Sequence, residues 1–175
     1  ELEDNSRIKT FLKKTNLKTI KKLKKFNLIK DQSLIEFPEQ GLKELDLVSS
    51  AIKRLSGGLL LIDYGFLVQK SIDTLQSVKN HKKNMLLDNV GDADITSLVN
   101  FNLLKIYFKR EKLRTNNIVT QEFFLKKMGI VKRAEIVSKK MNFQKKSETF
   151  YRLQRLLHPK QMGELFKVIF AFKLK

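Results

Sequence analysis

Gly57-Gly58-Leu59-Leu60-Leu61-Ile62-Asp63-Tyr64-Gly65 is the stretch on which the fold turns. Its centre, Leu59 to Ile62, is a short continuous apolar run of the kind that strands show when a parallel sheet buries both their faces. Upstream, Leu42, Leu45, Val48, Ile52 and Leu55 recur every three to four residues, and Pro38 suits a first helical turn, so an amphipathic helix is expected from about Phe37. The glycine pair should close it, because glycine takes the left-handed conformation that ends helices without penalty. Helix, glycine stop, buried strand and a polar residue at the strand's carboxyl end make one repeat of an α/β fold, whose ligands bind beyond those strand ends. Asp63 is thereby placed on the ligand side.

Outward from this repeat the pattern continues. Residues 66 to 99 read as loop and short helix, with a turn near Asn89-Val90-Gly91-Asp92. Asn100 can cap a helix carrying Phe101, Leu104, Tyr107 and Phe108 on one side. A short strand near Ile118-Val119 precedes a helix that starts at Thr120, turns Phe124 and Met128 to the core and ends at Gly129. Further helices fit residues 131 to 142 and 147 to 157, Pro159 breaks the pattern, and Phe166 to Phe172 is a final strand. Residues 1 to 33, Lys-dense with scattered Leu, Ile and Phe, are expected to include mobile or poorly packed segments. No internal repeat and no glycine- or serine-rich linker marks an internal boundary.

Composition sets outer limits. With 175 residues, 42% of them hydrophobic, the chain has the means for one core. No apolar run approaches the roughly 18 to 20 residues of a membrane span, and the first residues lack a secretory signal pattern, so a soluble protein is expected. The chain starts without methionine, consistent with a fragment, a processed product or part of something longer. The absence of cysteine excludes disulfides and thiolate chemistry, and two histidines argue against a zinc site. A net charge of +18 fits nucleic acid, an anionic membrane or an acidic protein as partner. Lysine beside abundant Asn, Ile, Leu and Phe is also what an AT-rich genome encourages. The densest basic run, Lys13 to Lys25, has no Trp or Tyr on which bases would stack, which disfavours a single-strand binder.

The order of several motifs resembles the MidA-like family of class I methyltransferases, relatives linked to respiratory complex I assembly in bacteria and mitochondria. The blocks are Gly57 to Gly65, Asp73-Thr74-Leu75-Gln76, His81, Gly91 to Thr96, Val99-Asn100-Phe101, Val119-Thr120-Gln121 with Phe124-Leu125 and Met128-Gly129-Ile130, and Met162 to Val168. The resemblance covers roughly residues 35 to 173, so residues 34–175 are read as the carboxy-terminal half of the methyltransferase domain and 1–33 as a basic segment without a match. Departures from the family pattern are Leu98 for a histidine, Asn100 for an aspartate, Asn117-Ile118 for Gly-Pro and Glu122 for a glycine.

The resemblance implies a Rossmann-like sheet of which this chain supplies the last helix-and-strand units and a terminal antiparallel strand. It implies S-adenosylmethionine as cofactor, with the glycine-rich loop and acidic residue that hold it lying upstream, so that this chain alone is inactive. It also implies methyl transfer to arginine on a protein partner, with a respiratory complex I subunit among the candidates, in bacterial cytoplasm or, alternatively, mitochondrial matrix. The rival reading is a non-catalytic, basic nucleic-acid-binding or assembly protein. Asp63 and Tyr64 are the first candidate residues: a strand-end carboxylate holds a guanidinium and a phenol positions it, or both simply finish a strand. His81 is a candidate base or orienting group, or a surface residue. Asp92 and Asp94 offer negative charge to a basic peptide, or are turn residues. Thr120 and Gln121 stand at a strand-to-helix junction where ligands are met, or serve as a cap.

Overall fold

The computed structural model describes residues 13–30, 34–68 and 71–174. It divides into a small unit, residues 1–31, and a large one, residues 32–175. In the small unit Asn16 accepts the Thr19 N–H and starts helix α1, Leu17–Lys25. The mobility expected for residues 1 to 33 falls partly on 1–12 and 31–33, which lie outside the described residues.

The large unit opens with helix α2, Glu39–Leu55, as its periodicity predicts. The residue that closes it is Ser56, at φ 56° and ψ 45°, rather than either glycine. Gly57 then donates to Ile52 O, completing the helix end. Gly58 has a packing role instead: a Cβ there would lie 2.6 Å from the Phe170 ring. Strand β1, Gly58–Phe66, follows, longer than the apolar run alone suggests.

Residues 66 to 99 depart from expectation. In place of loop and short helix they hold a three-stranded antiparallel sheet, β2 (Gln76–Lys79), β3 (Lys82–Asn84) and β4 (Asp94–Thr96), in the order β3-β2-β4. Its strands are short and mostly polar, so alternation is nearly invisible. The signal was the two-residue turn Asn80-His81, both at positive φ, which matches the twist of a tight hairpin.

Strand β5, Val99–Asn100, runs into helix α3, Phe101–Arg110, whose Leu103 N–H is capped by Asn100 Oδ1 as expected. Then come β6 (Arg114–Thr115), β7 (Val119–Thr120), α4 (Gln121–Lys127), α5 (Ile130–Ser138) and α6 (Phe143–Leu157). Gly129, at φ 81°, makes the sharp joint between α4 and α5. Met128, expected in the core, is 70% exposed, because α4 ends at Lys127 and the chain turns outward there. A π-turn, Pro159–Gly163, leads to β8, Phe166–Phe172. Gly163 is buried and a Cβ would stand 2.3 Å from Leu157 O.

The main sheet has the order β5-β1-β8-β6, with β7 also on β8. β5 is parallel to β1, whereas β8 is antiparallel to β1, β6 and β7. With partners on both edges, β8 is the best buried strand, and Val168, Ile169 and Ala171 form its core. β1 is not buried on both faces as the sequence suggested. β8 covers one edge fully, β5 meets the other only at Gly65 and Phe66, and Leu60, Ile62 and Tyr64 remain 38–43% exposed. On the opposite face, where Leu59, Leu61 and Gly65 alternate with them, α3 packs with Phe101 and Phe108 fully buried.

α2 and α3 are joined by a polar contact inside this core. The Tyr107 hydroxyl donates to Asp46 Oδ1 at 2.8 Å and lies 3.3 Å from the buried Ser49 Oγ. Burial pushes the Tyr107 phenol well above its ordinary 10.0, only partly opposed by the Ser49 hydrogen bond. The neutral phenol is therefore the form the fold retains. Its contribution is complete below pH 10 and is lost as pH rises through the raised value. Tyr107→Phe should lower unfolding free energy by about 1 to 2 kcal/mol, since Ser49 stays buried without that partner. Urea titration should show the wild-type advantage at pH 7 and its decline above pH 10.

Candidate functional site

The candidate residues fall into two groups. In the main sheet, Asp63 pairs with Lys167 across β1 and β8, and Lys167 pairs with Thr120 across β8 and β7. Asp63, Lys167 and Thr120 thus make one row across three strands, all on one face. Strand spacing puts Asp63 and Thr120 about 10 Å apart at the backbone. Asp63 is exposed and lies three residues inside the strand rather than at its end, which is Phe66. Its Oδ1 accepts the Tyr64 N–H at 2.7 Å, and no other hydrogen-bond partner of its carboxylate occurs among the described residues. Lys167 Nζ donates to the Glu164 carbonyl. Tyr64 leans on Phe166 with ring centroids 4.0 Å apart.

Thr120 caps α4, accepting the Phe123 N–H at 3.3 Å. Gln121, the next residue, is buried, and its Nε2 donates to Leu156 O at 3.0 Å. That bond ties α4 to α6.

The second group lies in the small sheet. His81 is at the exposed tip of the β2–β3 hairpin, in a left-handed conformation. Asp92 sits in a turn, donating its N–H to Asn89 O, and its carboxylate is 3.4 Å from Lys79 Nζ. Asp94 begins β4 opposite Val78. No described hydrogen bond or ion pair joins these three to Asp63, Tyr64, Thr120 or Gln121.

A feature that sequence reasoning missed is a cavity of about 490 Å³ at the carboxyl ends of β1 and β5. Phe66 and Val99-Asn100 supply those strand ends, Leu42 and Leu45 of α2 and Leu103 and Leu104 of α3 make apolar walls, and Glu36 and Asp73 are the charged residues among the described lining. Glu36 fastens the wall: its two oxygens accept the Thr74 N–H at 2.8 Å and the Thr74 hydroxyl at 2.6 Å. Thr74 Oγ1 in turn accepts the Leu98 N–H at 2.9 Å. Asp73 Oδ1 accepts the Leu75 N–H at 3.0 Å. Asp73-Thr74-Leu75 had stood out as a motif, but no periodicity in a loop shows that it meets residues 34–38.

The described residues do not by themselves form a cradle for S-adenosylmethionine. Close approach of backbone to such a ligand requires glycine in a turn between strand and helix. The glycine nearest a parallel strand's carboxyl end is Gly65, and its bare face is filled by its own fold: a Cβ would lie 2.4 Å from Val99 O and 2.5 Å from the Phe101 ring.

Comparison with known proteins gives the family. Residues 2–119 match the family described as "Putative S-adenosyl-L-methionine-dependent methyltransferase", a match that also takes in the basic amino-terminal segment. The mitochondrial protein arginine methyltransferase NDUFAF7 of Xenopus laevis is 31% identical over 121 residues, 69% of this chain and 27% of its own. Its human counterpart is 31% identical over 123 residues, 70% and 27%, and the Drosophila melanogaster homolog 29% over 142 residues, 81% and 32%. The chain thus spans about a third or less of the relatives it matches.

Two Burkholderia thailandensis crystal structures share the fold. One is of an uncharacterized protein, with TM-score 0.60 at 23% identity over 73% of this chain and 37% of that one. The other, bound to S-adenosyl-homocysteine, has TM-score 0.58 at 24% identity over 73% and 36%. The expected α/β, Rossmann-like arrangement is therefore the one found, and the chain belongs to the family of S-adenosylmethionine-dependent methyltransferases whose model its residues 2–119 match.

Proposed function

We propose that this chain is the carboxy-terminal part of an S-adenosylmethionine-dependent methyltransferase that modifies arginine on a protein partner and is linked to respiratory complex I assembly. The observation that carries this reading is the 31% identity to a protein named as an arginine methyltransferase, over 69% of the chain. In this reading residues 34–175 are the carboxy-terminal half of the catalytic domain, and the cofactor surface comes from the rest of the protein. Asp63 holds the cationic acceptor, Tyr64 lies beside it on the other face of β1, Thr120 stands at the far end of the Asp63 row with Gln121 fixing α4 behind it, and His81, Asp92 and Asp94 belong to a polar hairpin sheet that meets the partner. The compartment follows the source: bacterial cytoplasm or mitochondrial matrix. Among the described residues no helix is long and apolar enough to cross a membrane.

The open edge of β1 supports the same reading. From Gly58 to Tyr64 this edge has no strand partner among the described residues, while β5 already occupies its continuation in the parallel sense. An uncovered edge next to exposed Leu60 and Ile62 suits extension of the sheet by further parallel strands.

The test is transfer of a labelled methyl group from S-adenosylmethionine by the whole protein, with peptide mass spectrometry of the products. Methylarginine on a protein is the expected result, and label on lysine, on nucleic acid or nowhere would reject the reading. The non-catalytic alternative draws on Lys18, Lys21, Lys22 and Lys25, which line one cleft along α1. It predicts salt-dependent retention of random-sequence duplex DNA without transfer.

A further inference from the structure

We infer that the cavity between α2, α3 and the carboxyl ends of β1 and β5 is a recognition site for a basic side chain of the protein substrate, with Asp73 as its anionic contact. The inference deepens the proposed function and takes its protein substrate from that reading.

The first argument is charge. The chain carries 36 basic and 18 acidic residues, so a surface sampled at random should present lysine. Among the described residues the cavity lining contains no lysine or arginine, and the two ionisable ones, Glu36 and Asp73, are both acidic. A basic ligand gains from such a wall, and an anion is repelled by its carboxylates. One feature of opposite sign is present, the amino terminus of α3, and Asn100 already accepts its Leu103 N–H.

The second argument is shape and place. At about 490 Å³ the space lies in the range of small-ligand pockets. Its walls are mostly aliphatic, which suits the methylene stem of arginine or lysine. Its position beyond two parallel strand ends is where open α/β sheets bind ligands. The two carboxylates have different work. Both oxygens of Glu36 are held by Thr74, so it serves the wall. Asp73 Oδ1 accepts the Leu75 N–H, and Oδ2 has no hydrogen-bond partner among the described residues. That oxygen is left to accept from a guanidinium or ammonium.

The experiment uses the 175-residue chain and three probes: Nα-acetyl-L-arginine methylamide, its uncharged norleucine analogue and S-adenosyl-homocysteine. Binding is followed by shifts of the Leu75, Leu98 and Leu103 amide resonances. The arginine probe should bind more tightly than the norleucine one, and Asp73→Asn should weaken it by about three- to tenfold, a modest loss because Asp73 is exposed. Asparagine keeps an oxygen for the Leu75 N–H, so the wall stays intact. Leu75→Trp, at a 47% exposed position on the lining, should narrow the cavity and also weaken the probe. An unchanged thermal midpoint in both variants shows that folding is retained.

Equal binding of the arginine and norleucine probes, or indifference to both substitutions, overturns the inference. So does displacement of the arginine probe by S-adenosyl-homocysteine, which would assign the cavity to the cofactor. In the whole protein, Asp73→Asn should raise KM for the protein substrate and leave kcat unchanged. If the whole protein makes no methylarginine but the probe result holds, the proposed reaction fails and the recognition site stands. Methylarginine with an unmoved KM has the reverse meaning.

Discussion

Phe101→Ala should destabilise the large unit by about 3 to 5 kcal/mol, a large fraction of the stability of an ordinary domain. Phe101 has no exposed surface and begins α3, the helix that packs on the inner face of β1 and β8. Its ring fills the space that a side chain at residue 65 would need, with the nearest ring atom 2.5 Å from the position of a Cβ there. Loss of the ring removes apolar contact at the point where β1, β5 and α3 meet, and the backbone on both sides is paired, so collapse into the void is limited. Urea unfolding of the 175-residue chain followed by circular dichroism measures the effect. A cost under about 1.5 kcal/mol would mean that the void is closed by repacking and that Phe101 is replaceable. Phe101→Leu should cost distinctly less, because it retains most of the apolar volume.

Much of this core was legible in the sequence because it obeys a local rule. The 3.6-residue spacing of Leu42 to Leu55 predicted α2, and Asn100 with Phe101, Leu104, Tyr107 and Phe108 predicted α3 and its cap. Phe166 to Phe172 was read as a strand for the same reason, and it is the centre of the sheet. Three things were not legible. The helix-closing conformation fell on Ser56, one residue before the glycine pair, and Gly58 is required instead under the Phe170 ring. The small sheet has no apolar alternation, so only its turn at Asn80-His81 marked it. The burial of β1 differs from the sequence expectation, since an aliphatic run does not report which faces and edges are covered, and one edge and one face of β1 are open among the described residues.

The candidate site was legible in part for a related reason. Asp63 and Thr120 were picked separately, each as a strand-end residue, and only the register through Lys167 shows that they share a row. The cavity is not legible in the sequence because it joins residues 34–45, 66, 73–75 and 97–104 through the Glu36–Thr74–Leu98 hydrogen bonds, which no periodicity encodes. By contrast His81 was singled out as a histidine, and its place on the exposed hairpin tip follows from turn geometry.

Asp63→Asn in the whole protein should lower methyl-transfer turnover by about 10- to 150-fold while changing S-adenosylmethionine affinity little. The carboxylate has one oxygen on the Tyr64 N–H and is otherwise without a hydrogen-bond partner among the described residues, so its charge is available to a cationic acceptor. Asparagine preserves the acceptor for Tyr64 and the strand pairing with Lys167, and removes the charge alone. A charge-assisted hydrogen bond contributes about 1.5 to 3 kcal/mol, which gives that range of rates if it is realised in the transition state. The exposure of Asp63 in this chain favours the lower end unless the rest of the protein covers it. Single-turnover transfer and calorimetric cofactor binding on the same variant separate the two effects. Normal transfer with normal folding would make Asp63 a strand residue only. Lost cofactor affinity with full turnover at saturation would move it to the cofactor's side of the site. A fall in turnover at unchanged affinity, beside a KM effect for Asp73→Asn, would divide the labour: Asp63 orients the reacting group and Asp73 holds the substrate that carries it.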